Sequence, residues 1–183
     1  MSLLIYVLAV ASGIIILLAA ALKIFFVHEG NPLVVVCTKE RTKFSVIGRD
    51  ETSVRLSSRI EFKNIGKQCA TIVDCVARPQ LPFEQYDGID ARAKAEVDGI
   101  PREDDYFEAT LIDKHKSLFI NIIVTLSARK NMSIEDAVSR MVDLPIDIIC
   151  TQLGRRPWWM SKDRIILTSE ELSAATGVKL LQD

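Results

Sequence analysis

Histidine is nearly absent. His28 and His115 are the only two among 183 residues, and neither has cysteine or histidine neighbours at zinc-ligand spacing. Most of the chain therefore lacks the side chain that most often serves as general base or metal ligand. No Gly-x-Ser-x-Gly elbow, phosphate-binding glycine loop or dinucleotide fingerprint occurs. Net charge is small as well: the formal value of −1 leaves neither a nucleic-acid footprint nor an acidic tail. Eight glycines and six prolines, with no polar tract, exclude a long disordered linker. No internal repeat is visible. Segments of helical period between strands are few, which excludes a parallel α/β sheet.

Apolar length is abundant at the N-terminus. Residues 3–22 read LLIYVLAVASGIIILLAAAL, without a charge, and after Lys23 the apolar run continues through Ile24-Phe25-Phe26-Val27. At about 1.5 Å per residue, roughly twenty residues cross the ~30 Å hydrocarbon core. A cleaved signal peptide fits less well, because no basic residue precedes the core and the core is too long, although Ala19-Ala20-Ala21 could form a cleavage site. The expectation is an anchor helix over residues 1–27 that contacts the bilayer through residues 3–27. Lys23 can snorkel to the interface, and Ala9-x-x-x-Gly13 would let a second helix approach. Lys23, Lys39, Arg41 and Lys43 follow the span while Met1-Ser2 carries no basic side chain, so positive-inside reasoning places the N-terminus outside and the C-terminal domain in the cytoplasm. The sequon Asn131-Met132-Ser133 would matter only in the alternative, with the domain extracytoplasmic. Of the four cysteines, Cys69 and Cys75 fall on one strand about 20 Å apart, too far to pair, and free thiols are expected.

Residues 28–32 form a short juxtamembrane linker, and residues 33–168 read as strands. Val54, Leu56, Ser58, Ile60 and Phe62 alternate with Arg55, Ser57, Arg59, Glu61 and Lys63, the period of a half-buried antiparallel strand. Asn64-Ile65-Gly66-Lys67 is a turn with residues tolerant of positive φ. A strand over residues 69–78 follows, ended by Pro79 and Pro82. Residues 90–97 alternate alanine with charge. Residues 106–113 and 117–127 are expected to form a hairpin over Lys114-His115-Lys116, its second arm central. Ser133 caps a short helix that Pro145 stops, two strands follow, and residues 169–183 form a tail containing a short helix. The fold class is all-β: an antiparallel, immunoglobulin-like β-sandwich with one inserted short helix, preceded by a single transmembrane helix.

The stretch Ser58-Arg59-Ile60-Glu61-Phe62-Lys63-Asn64-Ile65-Gly66-Lys67-Gln68-Cys69-Ala70-Thr71-Ile72 resembles the strand–Asn-x-Gly–strand signature of membrane-tethered, CARDB-type immunoglobulin-like domains. The resemblance covers residues 58–72 alone. It implies a sandwich that binds partners or acts as a spacer, and it brings no catalytic residue and no cofactor.

Two constellations stand out. Glu103, Asp104, Asp105 and Glu108, beside Arg102, could offer oxygen ligands to a hard cation such as calcium, or could be a solvated strand entrance that discourages edge pairing. Around Gly154-Arg155-Arg156-Pro157-Trp158-Trp159-Met160-Ser161-Lys162 both tryptophans sit side by side among cations. Arg155, Arg156, Trp158 and Trp159 are the candidate contact with a membrane surface or a membrane protein partner, since Trp and Arg favour both settings. Adjacent strand residues face opposite ways, so at most one tryptophan enters the core. The functional expectation is a non-catalytic, single-pass membrane protein whose sandwich binds another protein, as an accessory or scaffolding subunit of a membrane complex. The alternatives are a lipid- or small-ligand-binding sandwich and an enzyme with scattered residues.

Overall fold

A computed structural model describes residues 2–103, 107–155 and 157–181. The first element is helix α1, Ser2–Glu29, whose segment Ile5–Glu29 is long and apolar enough to cross a membrane and is not buried by the rest of the chain. The helix outruns the expected residues 1–27 because the Gly30 N–H still donates to Phe26 O (3.3 Å). Gly30, at φ +69°, then ends it, as a residue without Cβ does at low cost.

Two antiparallel sheets follow. The first contains β1 (Val34–Val36), β2 (Ser45–Arg49), β3 (Ser53–Asn64), β5 (Ile89–Val97) and β7 (Ser117–Ala128), in the order β1-β3-β7-β5 with β2 also on β3. The second is β6-β4-β8-β9, built from β4 (Ala70–Pro79), β6 (Thr110–Ile112), β8 (Leu144–Leu153) and β9 (Trp159–Leu167). A short 3-10 turn, Thr38–Glu40, links β1 to β2, and helices α2 (Ile134–Ser139) and α3 (Ser169–Thr176) flank the second sheet's last two strands in sequence. The chain is thus mostly β, two antiparallel sheets after an apolar helix, as the alternating pattern implies.

The alternation decides which faces meet. β3 and β7 pair from Ser53↔Ser127 to Lys63↔Ser117, so Leu56, Ile60 and Phe62 share a face with Val124, Ile120 and Leu118. Opposite them lie Ile72, Ile146 and Ile148 of the second sheet, all buried in one core. Each such side chain contributes roughly 1.5–3 kcal/mol on burial. β4 changes phase midway: the register shifts between Val73 and Val76, with Asp74 at φ +50°. That bulge turns Cys75 and Ala77 inward on the strand that began with Ala70 and Ile72 inward.

The expected hairpin over Lys114-His115-Lys116 does not form. β6 pairs with β4 (Ala70↔Ile112), whereas β7 pairs with β3 and β5, so residues 113–116 carry the chain from one sheet to the other. Both edges of β7 are already occupied. Among the described residues of the first arm only three are strand, with Ile112 buried and Leu111 exposed.

The first short helix begins as read, and the second lies within the expected tail. The Ser133 hydroxyl accepts from Asp136 N–H (3.1 Å), and that of Thr168 accepts from Glu171 N–H (3.1 Å). α3 ends at Gly177, φ +73°, and buries Leu172 against the sandwich. Glu171 holds it there, accepting from Phe44 N–H (2.6 Å) and from both terminal nitrogens of Arg41 (2.9 and 2.7 Å).

Candidate functional site

Residues 30–33, between α1 and β1, do not form a free hinge. Ile65 N–H donates to Leu33 O (2.8 Å) and Lys67 N–H to Asn31 O (3.1 Å), laying the connection along the β3–β4 turn. Gly66 is needed for this approach. A Cβ there would lie 2.4 Å from Leu33 N, 2.5 Å from Asn31 O and 2.7 Å from Pro32 C, all backbone atoms. Positive φ is not the reason, because among residues 64–67 none has it. This corrects the turn chemistry expected for the Asn-x-Gly stretch: its glycine makes room for the tether.

Two buried amides complete the clamp. Asn64 closes β3 on its inward row and is fully buried. Its Oδ1 accepts from Gly66 N–H (2.9 Å) and Leu33 N–H (3.4 Å), while Nδ2 donates to Gln68 O (2.8 Å), Ile112 O (3.0 Å) and Asp113 O (3.3 Å). One side chain thereby joins the tether, the β3–β4 turn and the crossing between the sheets. Gln152 of β8 acts on the outer edge of β1, accepting from Val34 N–H (3.1 Å) and donating to Val34 O (3.0 Å). Its amide thus takes the place of a missing neighbouring strand. The helix end is held too. Gln68 Nε2 donates to the Glu29 carboxylate (2.7 Å), and Lys67 Nζ to His28 O (3.3 Å).

The β8–β9 loop lies at this same end. Gly154 packs on Pro32, where a Cβ would come within 2.2 Å of Pro32 Cγ. The Arg155 guanidinium sits 5.7 Å from the Phe26 ring centroid, beside the last turns of α1. Trp158 is 65% exposed. Trp159 opens β9 opposite Gln152 and is half-buried on the row that continues through Ser161, Asp163 and Ile165. Arg156 lies outside the described residues. Among the other candidates, Glu103 is exposed and Glu108 is paired with Arg102 Nη1 (2.6 Å), while Asp104 and Asp105 lie outside the described residues.

A lateral cleft of about 970 Å³ opens where the second half of β4 approaches β5. Asp74, Val76 and Arg78 line one wall, and Arg92 and Lys94 the other. β6 covers only residues 70–72 of β4, so Val76 there is exposed. Lys94 is engaged with Glu96 (2.8 Å).

Titratable groups elsewhere are structural in setting. Asp147 of β8 is covered by Lys162 (2.8 Å) and Arg164 (2.7 Å) of β9, and hydrogen bonds from these two hold its carboxyl down at about 2. Desolvation pushes Asp163 up. Cys75 and Cys150 meet across β4 and β8 as buried free thiols, and the hydrogen bond with Cys150, together with burial, pushes the Cys75 thiol up. Cys37, Glu40 and Glu61 bring a sulfur and two carboxylates within 4.8 Å of one another. There burial and the two carboxylates push the thiol up.

No protein-family model and no curated protein sequence matches the chain. Among solved structures, the GAE domain of GGA2p from Saccharomyces cerevisiae is similar with a TM-score of 0.35 and 11% identity, covering 75% of this chain and 98% of that one. A FixG-related protein from Vibrio parahaemolyticus gives 0.30 and 12%, covering 74% of this chain and 94% of its own. The yeast GGA1 GAE domain gives 0.30 and 10%, covering 69% and 98%.

Proposed function

We propose that this is a non-catalytic, single-pass membrane protein whose sandwich binds another membrane protein, as an accessory or scaffolding subunit. The observation that carries the reading is the clamp. Gly66, Asn64 and Gln152 join α1 to the sandwich through hydrogen-bonded backbone instead of a loose linker. A domain built only to float on a tether has no use for that rigidity, whereas a subunit that presents one side to a neighbour does. The anchor also raises the effective concentration of such a neighbour, so modest affinity suffices. The lateral cleft beside β5 is the surface best placed for it, because it opens on the side of the sandwich.

Strand order supports the immunoglobulin-like version of the fold. Strands β1, β3, β7 and β5 in one sheet and β4, β8 and β9 in the other follow the A-B-E-D and C-F-G arrangement. The ligand-carrier alternative needs an apolar cavity between the sheets, where Ile60, Ile72, Ile120, Ile122, Ile146 and Ile148 are packed. We place the domain on the cytoplasmic side, on the strength of Lys23, Lys39, Arg41 and Lys43. Asn131 is exposed in a turn, so translation with microsomes tests this directly: a glycan at Asn131 reverses the orientation.

Photo-crosslinkers at Arg92 and Arg78, with controls at Lys162 and Arg164 on β9, test partner binding in native membranes. One membrane protein crosslinked in stoichiometric yield from the cleft positions supports the reading. An uncrosslinked monomer that also purifies alone in mild detergent contradicts it.

A further inference from the structure

We propose that the membrane-proximal end of the sandwich docks on anionic phospholipid headgroups, with Trp158 seated in the interface and Arg155, Lys67, Lys114 and Lys116 around it. The inference goes beyond partner binding, and it rests on α1 spanning the bilayer. The loop does not merely face the helix end. Arg155 reaches back to Phe26, three residues before Glu29 and so about 4.5 Å along the helix axis. The Arg155 guanidinium therefore stands level with Phe26, next to Phe25, aromatic residues of the kind that mark the boundary between acyl chains and headgroups.

Lys67 is fixed beside the helix by its bond to His28 O. Lys114 and Lys116 are exposed in the crossing between the sheets, which Asn64 ties to this end through Lys116 O (2.9 Å) and Asp113 O (3.3 Å). With Arg155 that makes four cations among the described residues of these turns, against the two acids Glu29 and Asp113. Glu29 is held by Gln68, and Asp113 lies 3.4 Å from Lys116. Asp98, just past β5, is paired with Arg59 (3.1 Å). The surplus is positive, and it lies where a bilayer displays its phosphates and carboxylates.

Trp158, three residues after Arg155, is 65% exposed and leaves a large indole ring open at this end. An indole prefers the interface, with its ring among acyl carbons and its N–H at the headgroups. The clamp brings it there without an ordering cost at the moment of contact, because the tether is already ordered.

The test uses the full chain in phosphatidylcholine vesicles with and without phosphatidylserine. The chain has two tryptophans, so Trp159→Phe leaves Trp158 as the sole reporter. Docking predicts a blue-shifted emission in the anionic vesicles, quenched by lipids brominated near the headgroup end of the acyl chain and shielded from acrylamide. High salt, or Lys114→Ser with Lys116→Ser, removes the difference from neutral vesicles while thermal unfolding stays unchanged. If the protein floats with the vesicles but Trp158 stays fully open to acrylamide and untouched by brominated lipid, docking is overturned and the anchor stands. If the protein does not float, the anchor fails and the docking with it. Protection of Trp158 in native membranes but not in lipid vesicles overturns lipid docking and assigns the loop to a protein neighbour.

Discussion

Replacing Gly66 with alanine should release the tether while leaving the core intact. The new Cβ would need the space of Leu33 N, Asn31 O and Pro32 C at 2.4–2.7 Å, and none of these is a flexible side-chain end that can swing aside. The connection must therefore move off the β3–β4 turn. Two backbone hydrogen bonds are lost with it, from Ile65 N–H and Lys67 N–H. At roughly 0.5–1.5 kcal/mol each, the cost is about 1–3 kcal/mol. For a domain of this size, 2 kcal/mol corresponds to ~4–8 °C in Tm. Amide hydrogen exchange is the sharper assay, since protection should fall at Ile65 and Lys67 and persist along β3 and β7. Gly99→Ala is the matched control. That residue, unlike Gly66, has positive φ, +79°, and nothing lies within 4 Å of its added Cβ, so it should cost stability through backbone strain without exposing Ile65 or Lys67. Unchanged Tm and unchanged exchange in Gly66→Ala would refute the reasoning, because the clamp would then carry no energy.

Gln152→Leu should cost about 2–5 kcal/mol in denaturant unfolding, since it strands both backbone groups of buried Val34. Asp147 is held at about 2 against an ordinary 3.8, so the unfolded chain binds the extra proton between those values. The stability advantage of wild type over Asp147→Asn is then complete above about pH 4 and vanishes as pH falls through 2, as acid unfolding curves will show. Maleimide labelling should modify exposed Cys69 first and half-buried Cys37 more slowly, reaching Cys75 and Cys150 only on unfolding.

The layered fold is legible in the chain because burial on one face imposes period two: the alternation in β3 states which side chains meet β7 and the opposite sheet. Pairing partners are less legible. The stretches around Lys114-His115-Lys116 look like two arms of a hairpin, yet β6 and β7 belong to different sheets, and local pattern does not record which edge is already taken. The clamp left a signal that is easy to misread. Asn64 and Gln152 each occupy an inward row that is otherwise mostly apolar, after Ile60 and Phe62 in one strand and after Ile148 and Cys150 in the other. A buried amide in that phase must find partners, and here the partners are the tether. The tryptophan loop is conspicuous by composition alone. Its place beside Phe26 is not, since that depends on Pro32 meeting Gly154, over a hundred residues away.

The central claim is that α1 and the sandwich move as one body. Electron–electron resonance distances between labels at Ala21→Cys in the helix and Glu51→Cys at the far end of the sandwich test it most directly. The full chain would be placed in lipid nanodiscs with the reactive Cys37 and Cys69 replaced by serine. A single narrow distance distribution, broadened by Gly66→Ala, is the predicted result. A distribution in the parent chain as broad as that of Gly66→Ala would show a flexible tether and contradict the account.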